Sequence, residues 1–571
     1  LTLAGDRAYL IFAFEEAAAA YEKVLKLLRQ ENDQRTTVRI LMRLGQIYHA
    51  NFQFERSRKA FDEAFAIQSV ARVKASQLAN DLRTFRDPID YDPPSTLDPI
   101  AATTAIQGFY LNQLFAGLVE VSIKADIAPD VAFRWDILDE GRRYVFHLRT
   151  DALWSDGHPV TADDFVFSWL RALKPGSPIY PANRLYDIQG AAAYHQGLLD
   201  DPEKVGVHAI NEHTLVVDLE EPVGYFLQSL SDCMPVPKHL VNDDGDHWAL
   251  PMKLVGNGPY IIESWQPEEA LTFIRNPRYR GNYSGNVQRI ELPRLTPPKA
   301  CSAYELDKLD ITWLTNLSSD ETAKLLQKYP QELVTQPILT TYILTINLNR
   351  KPFDDFRIRR ALALALDKTR LIRQAFRWSF PAAGGFVPLG MPGHIDGIGI
   401  PYDAAQARMA LAEAGYPQGH GIPELDLIAM KHWSWVLKEI ADQWINNLGL
   451  KVNVRLLTSA EFYKAEAGGD YDVAFSGWRA DFPDPDCFLR VGLGYLTNWS
   501  DEQYVDLVNR GRTISDRSRR LEFYRQAEMI LAEQVPFIPL IYYHIGILLK
   551  PRIISRYYGY RGWLWKDIVI D

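Results

Sequence analysis

The sequence predicts a mixed α/β protein of several lobes, preceded by an all-α segment. Three observations predict it. Residues 1 to about 85 carry no proline and are rich in Ala, Leu, Glu, Arg and Gln, which favours helices. Pro88, Pro93, Pro94 and Pro99 then interrupt the chain and mark the entry to a new domain. Beyond them strand-like and helix-like runs alternate to the end, as in α/β and α+β proteins. A chain of 571 residues is too long for one ordinary domain and suggests roughly three or four compact units.

The helical segment repeats itself. Gly5, Ala8, Ala17, Tyr21 and Val24 reappear 40 residues later as Gly45, Tyr48, Ser57, Phe61 and Ala64. A small residue followed by an aromatic is what a close crossing of paired helices requires. The pattern resembles tetratricopeptide repeats, with a period longer than their usual length of about 34. Such repeats bury their faces only against neighbours, so further copies upstream and a protein partner are expected. The chain opens on Leu1 rather than Met, which leaves open an upstream leader, anchor or regulatory domain.

Past the linker, Trp154 to Phe165 reads as a strand end, a tight turn at Asp156-Gly157 and a helix start. Thr161 is placed as N-cap, and Asp164, three residues on, as its capping-box partner. Phe165, Val166 and Trp169 then recur at helical spacing. Tyr144–Leu148, Thr214–Leu219, Tyr260–Ile262 and Leu271–Ile274 read as strands. Phe356–Asp367, Asp403–Ala414 and Val436–Leu448 read as helices. Arg357, Arg359 and Arg360 are assigned to a solvated helix face, with Ala363, Leu364 and Leu366 in the core. The apolar run Phe537–Leu549 is short of the ~20 residues a bilayer span needs and reads as a buried strand pair.

Composition excludes some functions. A net charge of −10 provides no basic excess for phosphates, so no nucleic-acid partner is expected. Cys233, Cys301 and Cys487 form no CxxC pair, so no cysteine zinc site follows, and a single long-range disulfide stays open. His158, His195 and His544 have no ligand-spaced partners in sequence, and no metal or cofactor is expected. HExxH, GxSxG and P-loop patterns are absent, and an enzyme is not expected.

Separated segments carry a resemblance. They are Leu97-Asp98-Pro99, Leu114–Leu118, Trp154–Trp169, Pro235–Lys238, Val255–Tyr260, Arg275–Tyr279, Lys351–Lys368, Leu411–Tyr416 and Tyr471-Asp472 before Gly477–Asp481. In order and spacing they resemble family 5 solute-binding proteins, the oligopeptide- and dipeptide-binding type that serves ABC importers. The resemblance implies a bilobal periplasmic-binding-protein-like fold of class II. Lobe I would comprise 87–118, 255–340 and 545–571, an extra subdomain 119–254, lobe II 341–544 and the helical repeats 1–85.

The resemblance also implies a ligand held by strand-like hydrogen bonds and by charge pairs at its ends. Asp481 stands where the family's aspartate meets a peptide ammonium, and Trp478 where a tryptophan walls a side-chain pocket. Gly477 and Arg479 would offer backbone groups to an extended ligand, and Tyr543 a C-terminal contact. Thr103 occupies a position at which a glutamate contacts peptide, Phe475 one at which an arginine stands, and Arg479 one at which some members have cysteine. The expected ligand is a peptide or another amine-bearing solute, and the expected partners are ABC permease subunits at an extracytoplasmic site. The alternative is a sensor, cytoplasmic in the case of a regulatory fusion, that signals occupancy through the repeats.

Overall fold

The structure is a computed structural model that describes residues 2–10, 14–31, 33–51, 53–71, 83–94, 96–101, 105–121, 127–178, 182–314, 317, 319–375, 380–514, 516–554 and 563–571. Its contacts divide the chain into two compact units, fewer than length suggested. The first is Leu1–Trp313 with Asp481–Pro483 and Ile547–Asp571; the second is Leu314–Ala480 with Asp484–Gly546. Asp481 therefore belongs to the first unit, although the sequence assigned it to lobe II.

The first unit begins with four helices, α1 (Thr2–Leu10), α2 (Phe14–Glu31), α3 (Gln34–Ala50) and α4 (Phe54–Ala71). The repeated positions do what the pattern asks. A Cβ on Gly5 would stand 2.7 Å from the Tyr21 ring, and one on Gly45 2.6 Å from the Phe61 ring, so only glycine allows these crossings. Ser57 donates to the Gly45 carbonyl at 2.8 Å. Ala17, Tyr21, Val24, Ser57, Phe61 and Ala64 are buried.

These helices share a core with the sheet that follows, which is why they do not form a separate unit. After β1 (Thr84–Arg86), α5 (Ala105–Leu114) and the hairpin β2 (Val119–Val121) and β3 (Ile127–Pro129) come β4 (Ala132–Leu138), β5 (Arg143–Leu148), α6 (Ala162–Ala172), β6 (Val207–Asn211) and β7 (Thr214–Asp218). The antiparallel sheet runs β4-β5-β7-β6. Phe61 and Phe65 meet Trp135 of β4 edge-on, with centroids at 5.1 and 5.0 Å. His49 bridges the layers: its Nδ1 lies 2.9 Å from the Gly224 carbonyl and its Nε2 2.7 Å from the Tyr144 hydroxyl. A carbonyl only accepts, so Nδ1 carries the proton and Nε2 accepts from Tyr144. Burial pulls the His49 pKa down to about 4.

The second sheet of this unit runs β1-β10-β9-β8, built from β8 (Tyr260–Gln266), β9 (Ala270–Arg275) and β10 (Arg289–Pro293). A short strand, β11 (Ile311–Trp313), pairs antiparallel with Ile547–Leu549.

The second unit holds β12 (Leu333–Ile346), β13 (Leu425–Met430), β14 (Val452–Leu457) and β15 (Val473–Arg479), and most of β16 (Phe537–Leu549). Their order is β16-β12-β15-β13-β14, with β12 antiparallel to β15 and β13 parallel to β14 and β15. Helices Phe356–Leu364, Ala404–Glu413 and Ser434–Leu448 fall where periodicity placed them.

Two expectations are corrected. Phe537–Leu549 is one strand, not a pair: Gly546 takes no turn conformation, and 540–542 pair with 381–383 across a short bridge. Arg359 is buried, not solvated. Its guanidinium donates to the carbonyls of Phe353, Asp354, Gln534 and Val535, and so closes the C-terminal end of helix Arg517–Gln534. Arg360 is exposed and Arg357 half-buried, clamped to the N-cap Asp355. The three cysteines are buried.

Candidate ligand-binding segment

Residues 473–486 gather most of the predicted site. The strand β15 sits in register with β12, pairing Arg479 with Thr340, Trp478 with Thr341 and Gly477 with Tyr342. A Cβ at Gly477 would fall 2.8 Å from the Tyr342 ring, so glycine lets that ring lie across the strand. On its other side β13 pairs with β15 at Val473 and Ala474. Beyond those residues no strand of the same unit lies beside that edge among the described residues.

Trp478 is buried, and its indole N–H points at Cys487 Sγ at 3.4 Å. Its ring covers Gly492, where a Cβ would stand 2.7 Å away, and tilts against Tyr495 at 5.6 Å. It is a fixed wall. Phe475, at the family's arginine position, is a core ring stacked on Tyr342 at 5.3 Å. Tyr543 is half-buried between Tyr342 and Phe380, with centroids at 5.4 and 5.6 Å. Thr103 lies outside the described residues. Sequence reasoning missed Glu466, which bonds Ser476 on β15 and whose carboxyl burial pushes up to about 7.

Asp481 carries the main surprise. Its Oδ1 accepts from Arg184 Nη2 at 2.7 Å, and Arg184 also lies 3.5 Å from Asp232. The side chains of Arg184, Asp481 and Asp232 each keep 12% exposure. All three belong to the first unit, as do Tyr225 and Phe482, which stack at 4.4 Å and 11° beside the pair. The carboxylate expected to meet a ligand cation already has a cation from its own chain.

Asp484 and Asp486 form the expected turn, Asp484 accepting the Asp486 N–H at 3.0 Å. They do more than that. Asp484 pairs with buried Arg520, and Asp486 with Arg490 and the Tyr524 hydroxyl. Burial is the largest influence and opposes the Arg520 charge, but Asp484, Tyr524 and Asp486 together outweigh it and raise its pKa.

The landmark turn at 154–165 matches its reading. Gly157 takes φ +103°, the Trp154 N–H donates to the His158 carbonyl, and Asp164 Oδ2 accepts the Thr161 N–H at 2.8 Å. Asp164 also receives the Lys238 N–H, and burial raises its pKa. His158 does gain partners here: Asp156 and His239 lie beside it.

Residues 126–497, more than half of the chain, match the bacterial extracellular solute-binding proteins, family 5. The chain belongs to that family. It is 32% identical to the probable deoxycholate-binding periplasmic protein YgiS of Escherichia coli over 81% of this chain and 89% of that protein. It is 30% identical to the periplasmic oligopeptide-binding protein OppA of Salmonella typhimurium over 80% and 86%. Among solved structures, the murein tripeptide-binding protein MppA of E. coli superposes with a TM-score of 0.79 at 28% identity, covering 87% of this chain and 99% of that one. Haemophilus influenzae OppA, in complex with the peptide RPPGFSPFR, also gives 0.79, at 25% identity over 86% and 100%. In this family 5 chain, no described helix is long and apolar enough to cross a membrane.

Proposed function

We propose that the chain is an extracytoplasmic receptor that captures a peptide-sized organic solute and presents it to the permease subunits of an ABC importer. The observation that carries this reading is the edge of 475–479 that β13 leaves beyond Ala474. An extended ligand can add main-chain hydrogen bonds to such an edge through Gly477 and Arg479. Trp478 and Tyr543 would supply apolar walls, and the family resemblance proposes Asp481 and Thr103 as further contacts. Relatives named for peptides and for deoxycholate support a ligand of this size without choosing its class.

The Arg184–Asp481 pair favours a ligand that needs no free ammonium. A peptide amine would have to displace a guanidinium already hydrogen-bonded at 2.7 Å, whereas an acylated or carboxylate-bearing ligand leaves the pair intact. Signalling through the N-terminal helices is a second reading. It rests on their sharing a core with β4, so that a change in that sheet reaches them.

Identification of retained species by mass tests the proposal. The protein is incubated with a mixed peptide library, its N-acetylated counterpart and deoxycholate, then desalted. Retention of one class at one equivalent supports capture; retention of none contradicts it.

A further inference from the structure

Two histidines far apart in sequence meet one aspartate on the first unit. His239 Nε2 lies 2.8 Å from Asp156 Oδ2, and His158 Nδ1 lies 3.2 Å from the same oxygen. The two imidazole rings are 4.3 Å apart and tilted by 32°. The three atoms that could bind an ion lie within 4.8 Å of one another. Side-chain exposures of 62% for His158, 29% for His239 and 24% for Asp156 leave them open to solvent.

The frame around them is fixed. Asp156 Oδ1 accepts the His158 N–H at 3.1 Å, which orients the carboxylate inside its turn. The Ser155 N–H donates to the Gly256 carbonyl at 2.8 Å. His239 is the second residue of helix Lys238–Asp244. Asp164 holds both segments at once, accepting Thr161 N–H beside the turn and Lys238 N–H at the helix start. Ser168 Oγ takes the Val236 N–H at 2.7 Å. Two rigid pieces thus present their side chains to one point.

The geometry points to Asp156, His158 and His239 as a site for a divalent cation of the zinc or nickel kind, with further positions left to water. Tetrahedral bonds of ~2.0–2.1 Å set ligand atoms about 3.3 Å apart. Two of the three separations, 2.8 and 3.2 Å, lie near that value, and the third is within 4.8 Å. Two neutral imidazoles and one carboxylate suit borderline ions; calcium and magnesium prefer oxygen shells. The Arg278 guanidinium lies beside the turn, its Nη1 donating to the Ser155 carbonyl. The ion would tie the turn to the helix and is independent of solute capture.

Calorimetric titration of chelator-treated protein with zinc chloride tests this, using wild type, His158→Gln, His239→Gln and the double variant. One equivalent is expected at pH 7.5, weakened roughly tenfold or more by either substitution and lost in the double variant. Circular dichroism and an unchanged urea-unfolding midpoint show that the variants are folded. Failure of wild type to bind, or equal binding by the folded double variant, overturns the site.

Discussion

The N-terminal helices and the segment from Gly477 to Asp486 both rest on a small residue meeting an aromatic ring, but different forces complete them. In the helices, Gly5 meets Tyr21 and Gly45 meets Phe61, and an apolar contact continues from Phe61 to Trp135. In the segment, Gly477 meets Tyr342, and the neighbouring carboxylates take arginines from remote parts of the chain: Arg184 for Asp481 and Arg520 for Asp484. The first region is a mostly apolar layer that also holds buried His49 and a buried Arg43 paired with Asp6 and the Tyr21 hydroxyl. The second is an array of desolvated ion pairs, each of which holds its place only while both partners remain. Cavities and acid should therefore disturb the first, and deletion of single charges the second.

Phe61→Ala should have the largest effect, about 3–5 kcal/mol, because it empties a fully buried ring site against Trp135. Urea unfolding followed by tryptophan fluorescence measures it, and a loss below about 1 kcal/mol would deny the shared core. Arg520→Ala should cost about 3 kcal/mol in the same assay, since it strands buried Asp484. Equal loss on also changing Asp484→Asn would mean that the charge pair is not what matters.

Acid separates the regions next. His49 has its pKa lowered from 6.5 to about 4, so its neutral form stabilises the fold above pH 6.5. As pH falls from 6.5 towards 4 the unfolded chain binds the proton first, and stability of about 2–3 kcal/mol is lost. His49→Gln should flatten that part of the stability profile, with other pH-dependent losses unchanged. The smallest effect is expected at the Asp33 cap, whose carboxylate accepts the Thr36 N–H at 3.0 Å. Asp33→Ala should cost about 1 kcal/mol. Protection of the first α3 amides against hydrogen exchange reads it, and unchanged protection would remove the cap from the account.

Legibility followed the distance between partners. The Gly45–Phe61 crossing and the Thr161–Asp164 capping box lie within one repeat or one turn, and periodicity exposed both. Strands such as Arg143–Leu148 and Thr214–Asp218 were readable from alternation to within a residue or so. Arg359 was misassigned because its partners, the Gln534 and Val535 carbonyls, are backbone groups with no sequence signature. Phe537–Leu549 looked like two strands because Pro539 and Gly546 usually punctuate, yet both fit one continuous extended strand here. Arg184 could not be matched with Asp481 across 297 residues by any local rule. His158 and His239 each sit in or next to a segment that carried the family resemblance, and that shared placement was the one available hint.

The central claim is that the segment ending at Asp481 anchors the captured solute and that Arg184 sets which end groups it accepts. Calorimetric titration with one tripeptide in free-amine and N-acetylated forms tests it most directly, on wild type, Arg184→Ala and the double variant Arg184→Ala/Asp481→Ala. Wild type should hold the N-acetylated form at least as tightly as the free amine. Arg184→Ala should gain about tenfold for the free amine alone, equivalent to about 1.4 kcal/mol, and the double variant should lose that gain. A wild type that prefers the free amine, with that preference unchanged by Arg184→Ala, would contradict the account.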